Sequence, residues 1–277
     1  VNIAFDGSCN GYQNIAALTL DEETAARVNL LPNMDRQDIY GDVQATTAAK
    51  LPELVHGITR DTMKTPVMTI VYGSKKNQMG SHVRKADKTL STEEAGTIGK
   101  EAYDTVGSIC PSMLITRDWL QKVAGEHAQR GEAMRWTTAD GLPVAQLKMV
   151  TKALRPKFKI GGKSIRLSQS VNTKEVSEGG MKNAVSANVT HSLDATHLRM
   201  VAAACASEGV PIGLIHDSFS TSAATAGRLF EIVREQFVRL YEQDVLGNLA
   251  KDLKSEDAPE RGNLDIQGVL DTEYSFA

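Results

Sequence analysis

Two short apolar segments near opposite ends of the chain each lead into an aspartate that a small residue follows. VNIAF leads into Asp6 and Gly7, and VPIGLIH leads into Asp217 and Ser218. Short apolar runs that are bounded by turn-forming residues are typical of β-strands. The sequence therefore predicts one strand beside Asp6 and a second strand beside Asp217, each of which delivers a carboxylate.

Carboxylates delivered by neighbouring strands can hold a pair of Mg²⁺ ions. Mg²⁺ prefers oxygen ligands, keeps several waters and lets substrate phosphates complete its coordination. Two such ions about 3.5–4 Å apart activate an attacking hydroxyl and stabilise the leaving oxygen. Aspartates are also common at strand ends and in turns, so the spacing alone favours an ordinary turn at each position.

The remainder of the chain mixes helical and hairpin patterns. Helical patterns cover five ranges: 13–28, 58–73, 98–125, 189–207 and 224–246. Asp140-Gly141 and Gly161-Gly162 each separate two strand-like runs, which indicates two β-hairpins. The polar segment 74–97 is predicted to be a loop. Because strands and helices do not alternate regularly, the pattern favours the α+β class.

A stripe of functional side chains is predicted within RDTMKTPVMTIVYG. Arg60, Lys64, Met68 and Tyr72 are spaced by four residues, and on a helix they form one stripe about 18 Å long. Two cations at one end and a phenol at the other can grip a triphosphate and contact a sugar. An exposed amphipathic helix gives the same pattern, and Pro66 inside it predicts a kink.

The segment NVTHSLDATHLR contains His191, Asp194 and His197. Two histidines six residues apart lie about 240° apart around a helix and face different ways, so a zinc site is not indicated. Either His191 contacts a ligand or it is a structural histidine, and the pattern leaves both interpretations open.

Charge is distributed unevenly along the chain. The formal net charge is −3, so any contact with a polyanion has to be local. Nine basic and two acidic residues lie from Lys148 to Lys182, and seven basic and two acidic residues lie from Arg60 to Lys88. One such run is usually a solvated surface, whereas two in a slightly acidic chain favour a polyanionic partner.

Cysteine usage and hydropathy indicate the compartment. Cys9, Cys110 and Cys205 are widely spaced and odd in number, which argues against a disulfide framework and favours a reducing cytoplasm. No segment approaches the roughly 20 apolar residues that span a bilayer, and no signal peptide is visible. We therefore expect no membrane association.

Taken in order, four motifs resemble the single-subunit RNA polymerases of bacteriophages and mitochondria. They are DGSCNG, RxxxKxxxxxxxYG from Arg60 to Gly73, HSLDATHLR and IHDSF. The resemblance implies a right-hand polymerase fold, with an antiparallel palm sheet and mostly helical fingers. It implies palm strands near 1–12 and 210–222, fingers over roughly 50–185, and a C-terminal palm helix and tail over 223–277.

The resemblance also implies roles for individual residues. It implies that two Mg²⁺ ions are bound by Asp6 and Asp217, with the backbone carbonyl of Gly7 as an additional ligand. Arg60 and Lys64 would hold the incoming triphosphate, and Lys64 is also a candidate proton donor to the leaving pyrophosphate.

Three further residues complete the implied nucleotide site. Tyr72, which Gly73 follows, would distinguish ribonucleotides from deoxyribonucleotides, and His191 would act beside it near the growing RNA end. The Gly161-Gly162 hairpin lies where the family has its promoter-reading loop.

The implied function is DNA-templated RNA synthesis by two-metal nucleotidyl transfer. Two alternatives are a fragment of a family-A-like DNA polymerase and a non-catalytic nucleic-acid-binding remnant. The expected partners are a DNA template, an RNA product and ribonucleoside triphosphates. The chain is expected to be either a fragment or the catalytic subunit of a heterodimer, in which a second chain supplies the N-terminal domain, the thumb and the rest of the palm. The expected source is a bacteriophage, with the protein in the cytoplasm of the infected bacterial host.

Overall fold

The computed structural model describes residues 1–32 and 35–277. Its strands are β1 (Asn2–Asp6), β2 (Met134–Thr137), β3 (Pro143–Gln146), β4 (Met149–Leu154), β5 (Lys157–Ile160), β6 (Lys163–Arg166), β7 (Gln169–Val176), β8 (Gly213–Ile215) and β9 (Ser218–Ser222). Its α-helices are α1 (Asn10–Thr19), α2 (Glu22–Arg27), α3 (Ile39–Lys50), α4 (Arg60–Ile70), α5 (Met79–Ala86), α6 (Thr92–Ile109), α7 (Pro111–Gln129), α8 (Glu178–Glu208), α9 (Ala226–Tyr241) and α10 (Val245–Asp252). Shorter 3₁₀ helices cover Pro52–Gly57, Lys76–Gln78 and Ile266–Asp271.

A small antiparallel sheet joins the two ends of the chain. Its strand order is β1-β9-β8, so the first strand pairs with the last. Phe5 lies opposite Phe219 in the register, and the ring of Phe5 contacts that of Phe230 on α9 at 5.2 Å. This face of the sheet is therefore packed against α9, and Asp6, which alternates with Phe5, belongs to the other face.

The core of the protein is mostly helical. The long helix α8 packs against α7 and α9, and its His197 is buried among three aromatic rings, those of Phe219, Phe237 and Phe276. The helix predicted over 224–246 is confirmed by α9, whose apolar stripe is part of the core: Leu229, Val233, Phe237, Leu240 and Tyr241 are buried and Phe230 is partly buried. Helices with small antiparallel sheets confirm the α+β class.

The two predicted hairpins are confirmed, and one is packed against helices whereas the other is exposed. β2 pairs with β3 around Asp140-Gly141, and this hairpin packs against α8 and α10. β5 pairs with β6 around Gly161-Gly162 at the end of the longer β4–β7 ladder. Every residue of β5 and β6 is exposed, so this second hairpin projects from the surface of the protein.

The predicted loop over 74–97 is wrong. Met79 and Val83, four residues apart, are both fully buried, and they give α5 an apolar side that the polar composition hides. Ser91 then begins α6 with a capping box, in which its side chain accepts from the Glu94 backbone and the Glu94 carboxylate accepts from the Ser91 backbone. Local capping and two buried residues are enough to make this segment helical.

The helix predicted over 13–28 is two helices. Leu20 adopts a left-handed conformation with φ of 51°, which ends α1. Asp21 then caps α2 by accepting from the backbone N–H of Thr24. The helix predicted over 98–125 is also divided, at Cys110, where Pro111 begins α7.

Cys9, Cys110 and Cys205 are buried free thiols. Among the described residues, no helix combines the length and the apolar character needed to cross a membrane.

Candidate active site

The pairing of β1 with β9 brings together the two aspartates predicted to bind metal. Asp6 lies opposite Ser218, the residue that follows Asp217. Burial and the negative charge of Asp217 raise the pKa of Asp6 above its ordinary value. Because the two negative charges repel each other, a cation bound between the carboxylates would stabilise both.

Asp217 is held in a strained turn. Ile215 pairs with Ser218, so His216 and Asp217 form a two-residue turn between β8 and β9. His216 has a φ of 55°, a left-handed conformation that costs a non-glycine residue of order 1 kcal/mol. The predicted strand that runs up to Asp217 is therefore wrong at its end, because β8 stops at Ile215 and a turn follows. Asp217 nevertheless remains beside the sheet.

The C-terminal residues support the loop that follows Asp6. The Ala277 N–H donates to the Asp6 carbonyl at 3.0 Å, and the Ser8 N–H donates to the Ser275 carbonyl at 3.2 Å. Phe276 pairs with Gly7 between these two bonds, so the peptide groups of Gly7 point away from the tail. Sequence reasoning missed this support, because no periodic pattern around Phe276 indicates that it pairs with Gly7.

The predicted stripe of cations lies on an open face of α4. Arg60, Lys64 and Met68 are exposed, whereas Tyr72, two residues beyond the helix end, is half-buried. Within the part of the chain that the structure describes, the Lys64 ammonium has no ion pair or hydrogen bond. Pro66 is buried on the opposite side, and α4 continues through it to Ile70. The kink at this proline stays a prediction.

Arg60 is paired with an acidic side chain that sequence reasoning did not connect to it. Its Nε donates to Asp38 Oδ2 at 2.6 Å and its Nη2 donates to Oδ1 at 3.2 Å. Burial alone would raise the pKa of Asp38, but the hydrogen bond and charge of Arg60 lower it below the ordinary value. The guanidinium of Arg60, which was predicted to bind phosphate, is therefore paired with the carboxylate of Asp38.

Tyr72 and His191 come together although they are distant in sequence. Their ring centroids are 5.1 Å apart, and His191 is exposed at the same opening. Burial, followed by the charges of Asp194 and Asp217, raises the pKa of Tyr72 to about 12. The phenol therefore keeps its proton at neutral pH and can both donate and accept a hydrogen bond.

Two glycines fit closely around this tyrosine. A Cβ atom at Gly11 would lie 2.7 Å from Val71 Cγ1 and 3.2 Å from the Tyr72 hydroxyl. Gly73 has a φ of 97°, a conformation that other residues rarely adopt. Gly11 is therefore favoured by the close packing of two side chains, and Gly73 is favoured by its backbone conformation.

A partly buried polar network connects α1 to α8 and α9. Asn10 Nδ2 donates to Asp194 Oδ1 at 2.8 Å, and Asn14 Nδ2 donates to Asn10 Oδ1 at 2.7 Å. The hydroxyl of Tyr241 donates to Asn14 Oδ1 at 2.5 Å. Burial raises the pKa of Asp194, and the nearby Asp217 adds to this effect. Sequence reasoning considered Asp194 only as a metal ligand and missed this role in joining the two helices.

The protein itself offers only part of a metal coordination sphere. The described residues contain no group of three or more His, Cys, Asp or Glu side chains that could hold a metal ion. The Asp6–Asp217 pair still fits Mg²⁺, because this ion keeps several waters and is often completed by substrate phosphates.

The two basic runs lie in different environments. In the first, Lys76 pairs with Asp104, whereas in the second the lysines and arginines of β5 and β6 are all exposed. Lys157 lies opposite Arg166 in the register, and Lys159 alternates with Lys157 onto the same face. The projecting hairpin therefore has one strongly basic face.

Comparison with known proteins identifies related sequences over nearly the entire chain. The model of the DNA-dependent RNA polymerase family matches residues 1–258, which confirms the resemblance carried by the four motifs. A chloroplast and mitochondrial DNA-directed RNA polymerase 2B of Nicotiana tabacum is 32% identical over 308 aligned positions, covering 98% of this chain and 29% of the relative.

A phage relative and an animal relative have nearly the same sequence identity to this chain as the plant relative has. The DNA-directed RNA polymerase of Enterobacteria phage T3 is 30% identical, covering 99% of this chain and 40% of its own length. The mitochondrial DNA-directed RNA polymerase of Mus musculus is 32% identical, covering 90% of this chain and 22% of its own length. The chain thus spans less than half the length of each of these three relatives.

Proposed function

This chain belongs to the DNA-dependent RNA polymerase family, and we propose that it carries the catalytic site for DNA-templated RNA synthesis by two-metal nucleotidyl transfer. The observation that carries the proposal is the placement of Asp6 beside Asp217, with the Tyr72–His191 pair at the same opening. The alternatives of a DNA polymerase fragment and a non-catalytic remnant gain no support, because the three relatives are all named RNA polymerases.

Asp6 and Asp217 would hold two Mg²⁺ ions, with the backbone carbonyl of Gly7 as a further ligand. The support is the repulsion between the two carboxylates and the orientation of the Gly7 peptide away from the C-terminal tail. When bound, the ions supply positive charge that favours ionisation of the attacking hydroxyl and stabilises the leaving oxygen.

Lys64 and Arg60 hold the triphosphate of the incoming nucleotide. Both side chains are exposed on one face of α4, and Lys64 is unpaired among the described residues. The ammonium can also give a proton to the leaving pyrophosphate oxygen, which lowers the cost of the negative charge that develops there. Arg60 has to exchange the carboxylate of Asp38 for a phosphate before it takes part.

Tyr72 and His191 select the sugar. A neutral phenol beside an imidazole can form a hydrogen bond with the 2′-hydroxyl of a ribonucleotide. A deoxyribonucleotide leaves this half-buried polar group without a partner, which costs about 1–3 kcal/mol. Gly11 leaves room for the phenol, because a Cβ atom there would lie 3.2 Å from its hydroxyl.

We assign the parts of the chain to polymerase regions as the motifs imply. Residues 1–12 and 210–222 form palm strands, roughly 50–185 form the fingers, and 223–277 form the palm helix and tail. The exposed basic face of the β5–β6 hairpin supports contact of the fingers side with DNA, where phosphates would pair with lysine and arginine.

Further polymerase polypeptide covers the small sheet. Ile3 is 36% exposed on one edge strand and Ile215 is 74% exposed on the other, which is unfavourable for large apolar side chains. The proposed cover is a second chain of a heterodimer that supplies the N-terminal domain, the thumb and the rest of the palm. A bacteriophage source and a location in the infected bacterial host belong to the same proposal, which the relative from phage T3 supports.

The test is extension of an RNA primer on a DNA template in the presence of Mg²⁺ and ribonucleotides. Asp217→Ala should abolish extension while template binding persists, because only the metal ligand is removed. Asp244→Ala is a control that removes an exposed aspartate at the N-cap of α10. Extension by Asp217→Ala at the wild-type rate would refute the proposal, and so would a lack of extension by the wild type together with its partner chain.

A further inference from the structure

One buried side chain outside the proposed catalytic set contacts the loop that carries the proposed metal ligands. Gln13 lies in α1 and is fully buried. A polar side chain that is removed from water costs free energy unless other hydrogen bonds replace its hydration. The two ends of its carboxamide have different surroundings, and each end touches a different part of the loop that follows Asp6.

The nitrogen end of the carboxamide joins three segments of the chain. Nε2 of Gln13 donates to the Ser275 carbonyl at 2.7 Å and to the Val28 carbonyl at 3.1 Å, and it lies 3.3 Å from Ser8 Oγ. Since carbonyl oxygens only accept, the nitrogen rather than the oxygen of the carboxamide has to face them. Gln13 thereby connects the C-terminal tail, the end of α2 and the loop after Asp6.

The hydroxyl of Ser8 belongs to the same network. It donates to the Val28 carbonyl at 3.2 Å, and it accepts from Asn29 Nδ2 at 3.1 Å. Asn29 is itself buried and adopts a left-handed conformation with φ of 62°. The loop at Ser8 therefore cannot move without the loss of several hydrogen bonds, which would leave buried polar groups unpaired.

The oxygen end of the carboxamide lies against Gly7. Gln13 Oε1 is buried and has no hydrogen-bond partner among the described residues, and a Cβ atom at position 7 would lie 3.0 Å from it. Gly7 allows this close approach because it has no Cβ atom. The backbone hydrogen bonds on either side of Gly7 direct its peptide groups away from the tail, and the Gln13 oxygen lies beside its Cα atom.

We propose that Gln13 is a positioning residue that fixes the direction of the Gly7 carbonyl, the further ligand of the proposed Mg²⁺ site. The inference rests on the proposed function. Mg²⁺ demands near-ideal octahedral geometry, so a backbone ligand contributes most to affinity when the loop that presents it is held still. Replacement of a side chain that orients a metal ligand typically lowers metal affinity about 10–100-fold. Gln13 supplies this support by its contacts with both Gly7 and Ser8.

The direct test is titration of the protein with Mn²⁺, followed by the electron paramagnetic resonance signal of the free ion. Mn²⁺ favours the same carboxylate and carbonyl ligands as Mg²⁺. Gln13→Leu removes every hydrogen bond of the carboxamide and should weaken Mn²⁺ binding about tenfold. Ser8→Ala removes one contact of the same network and should weaken binding about threefold, which tests the inference even if Gln13→Leu does not fold. Wild-type Mn²⁺ affinity in either folded variant would overturn the inference.

Gln146→Leu is the matched control. Gln146 is a buried glutamine on β3, whose Nε2 donates to the Met181 carbonyl at 2.9 Å and whose Oε1 accepts from Asn188 Nδ2 at 2.7 Å. Its replacement should lower the melting temperature, as that of Gln13 does, but it should leave the Mn²⁺ affinity within about twofold of wild type. Equal weakening of Mn²⁺ binding by both glutamine replacements would show a general loss of structure and contradict the specific role of Gln13.

Primer extension separates this role from the proposed function. Gln13→Leu should raise the Mg²⁺ concentration that gives half-maximal extension about tenfold, and excess Mg²⁺ should restore most of the rate. The KM for ribonucleotides at saturating Mg²⁺ should change by less than about twofold, because Gln13 is fully buried and touches no substrate. A rate that excess Mg²⁺ does not restore would contradict the inference. Absence of extension by the wild type with its partner chain would contradict the proposed function instead, whereas the Mn²⁺ titration tests Gln13 by itself.

Discussion

Tyr72 obtains its position from three separate parts of the chain. α4 ends two residues before it, Gly11 on α1 leaves room for its hydroxyl, and His191 on α8 contacts its ring. The spacing of four residues predicted that Tyr72 shares a face with Lys64. It did not predict the contact with Gly11, because close packing of a hydroxyl over a glycine leaves no periodic pattern in the sequence.

Removal of this hydroxyl tests the selection of the sugar. Tyr72→Phe keeps the ring against His191 but removes the hydrogen bond to the 2′-hydroxyl. We expect the preference for ribonucleotides over deoxyribonucleotides to fall about tenfold or more, with a smaller change in the rate for ribonucleotides. Competitive primer extension measures the ratio. Tyr103→Phe, a change of a buried tyrosine on α6, should leave the ratio unchanged, and an unaltered ratio in Tyr72→Phe would contradict the assignment.

His197 makes the stability of the protein depend on pH. Burial lowers its pKa from 6.5 to about 4, and its Nε2–H donates to the Val233 carbonyl at 2.8 Å. Because the unfolded chain binds the proton more tightly, the contribution of His197 to stability is lost as the pH falls from 6.5 towards 4. The loss amounts to at most about 3 kcal/mol.

Denaturant unfolding at several pH values measures this effect. His197→Gln retains a hydrogen-bond donor but cannot titrate, so its free energy of unfolding should decline less steeply between pH 6.5 and 4. Wild type and variant with parallel pH profiles would show that His197 does not contribute.

At the scale of elements, glycines decide how closely the helices α5 and α6 approach each other. A Cβ atom at Gly99 on α6 would lie 2.5 Å from the backbone nitrogen of Gly80 on α5. A Cβ atom at Gly96, one turn earlier on α6, would have no other heavy atom within 4 Å. The backbones of α5 and α6 approach closely around Gly80, but a Cβ atom would point into this contact at Gly99 and into open space at Gly96.

This difference provides a matched pair of substitutions. Gly99→Ala should destabilise the protein by about 1–3 kcal/mol, because the helices have to move apart. Gly96→Ala should be neutral or stabilise it by about 0.5–1 kcal/mol, since alanine favours the helix. Thermal unfolding of both variants gives the comparison, and equal melting temperatures would contradict the close approach.

The elements that sequence reasoning identified were those with a strong local signal. The α9 stripe and the two glycine-containing hairpins are confirmed, because periodicity and turn residues specify them locally. α5 was missed because its apolar side consists of only two buried residues among polar ones. The Arg60–Asp38 pair was missed because it joins residues 22 positions apart. Such a contact depends on tertiary packing, which the spacing of residues within one helix does not predict.

At the scale of the whole molecule, the candidate site joins residues from β1, the β8–β9 turn, the end of α4 and α8, whereas the basic hairpin projects from the surface. Lys157, Lys159 and Arg166 share the exposed face of β5–β6. Each contact between a cation and a DNA phosphate adds about 0.9 to the slope of log affinity against log salt.

Replacement of these three residues by glutamine should therefore weaken template binding and reduce the salt slope by about 2–3. Fluorescence anisotropy with labelled duplex DNA at several salt concentrations measures the slope. The matched control replaces Lys50, Arg130 and Arg261, which are partly exposed and paired with acidic residues elsewhere. Equal slopes for the two triple variants would show that the hairpin does not contact phosphate.

The central claim is that this chain forms the site of DNA-templated RNA synthesis, and the most direct test is the choice of nucleotide. A labelled RNA primer is annealed to four DNA templates that differ only in the first unpaired base, and one ribonucleotide at a time is supplied with Mg²⁺ and any co-purifying chain. We predict that only the complementary ribonucleotide is added to each template, and that Asp217→Ala adds none. Addition that ignores the template base, or that persists in Asp217→Ala, would contradict the account.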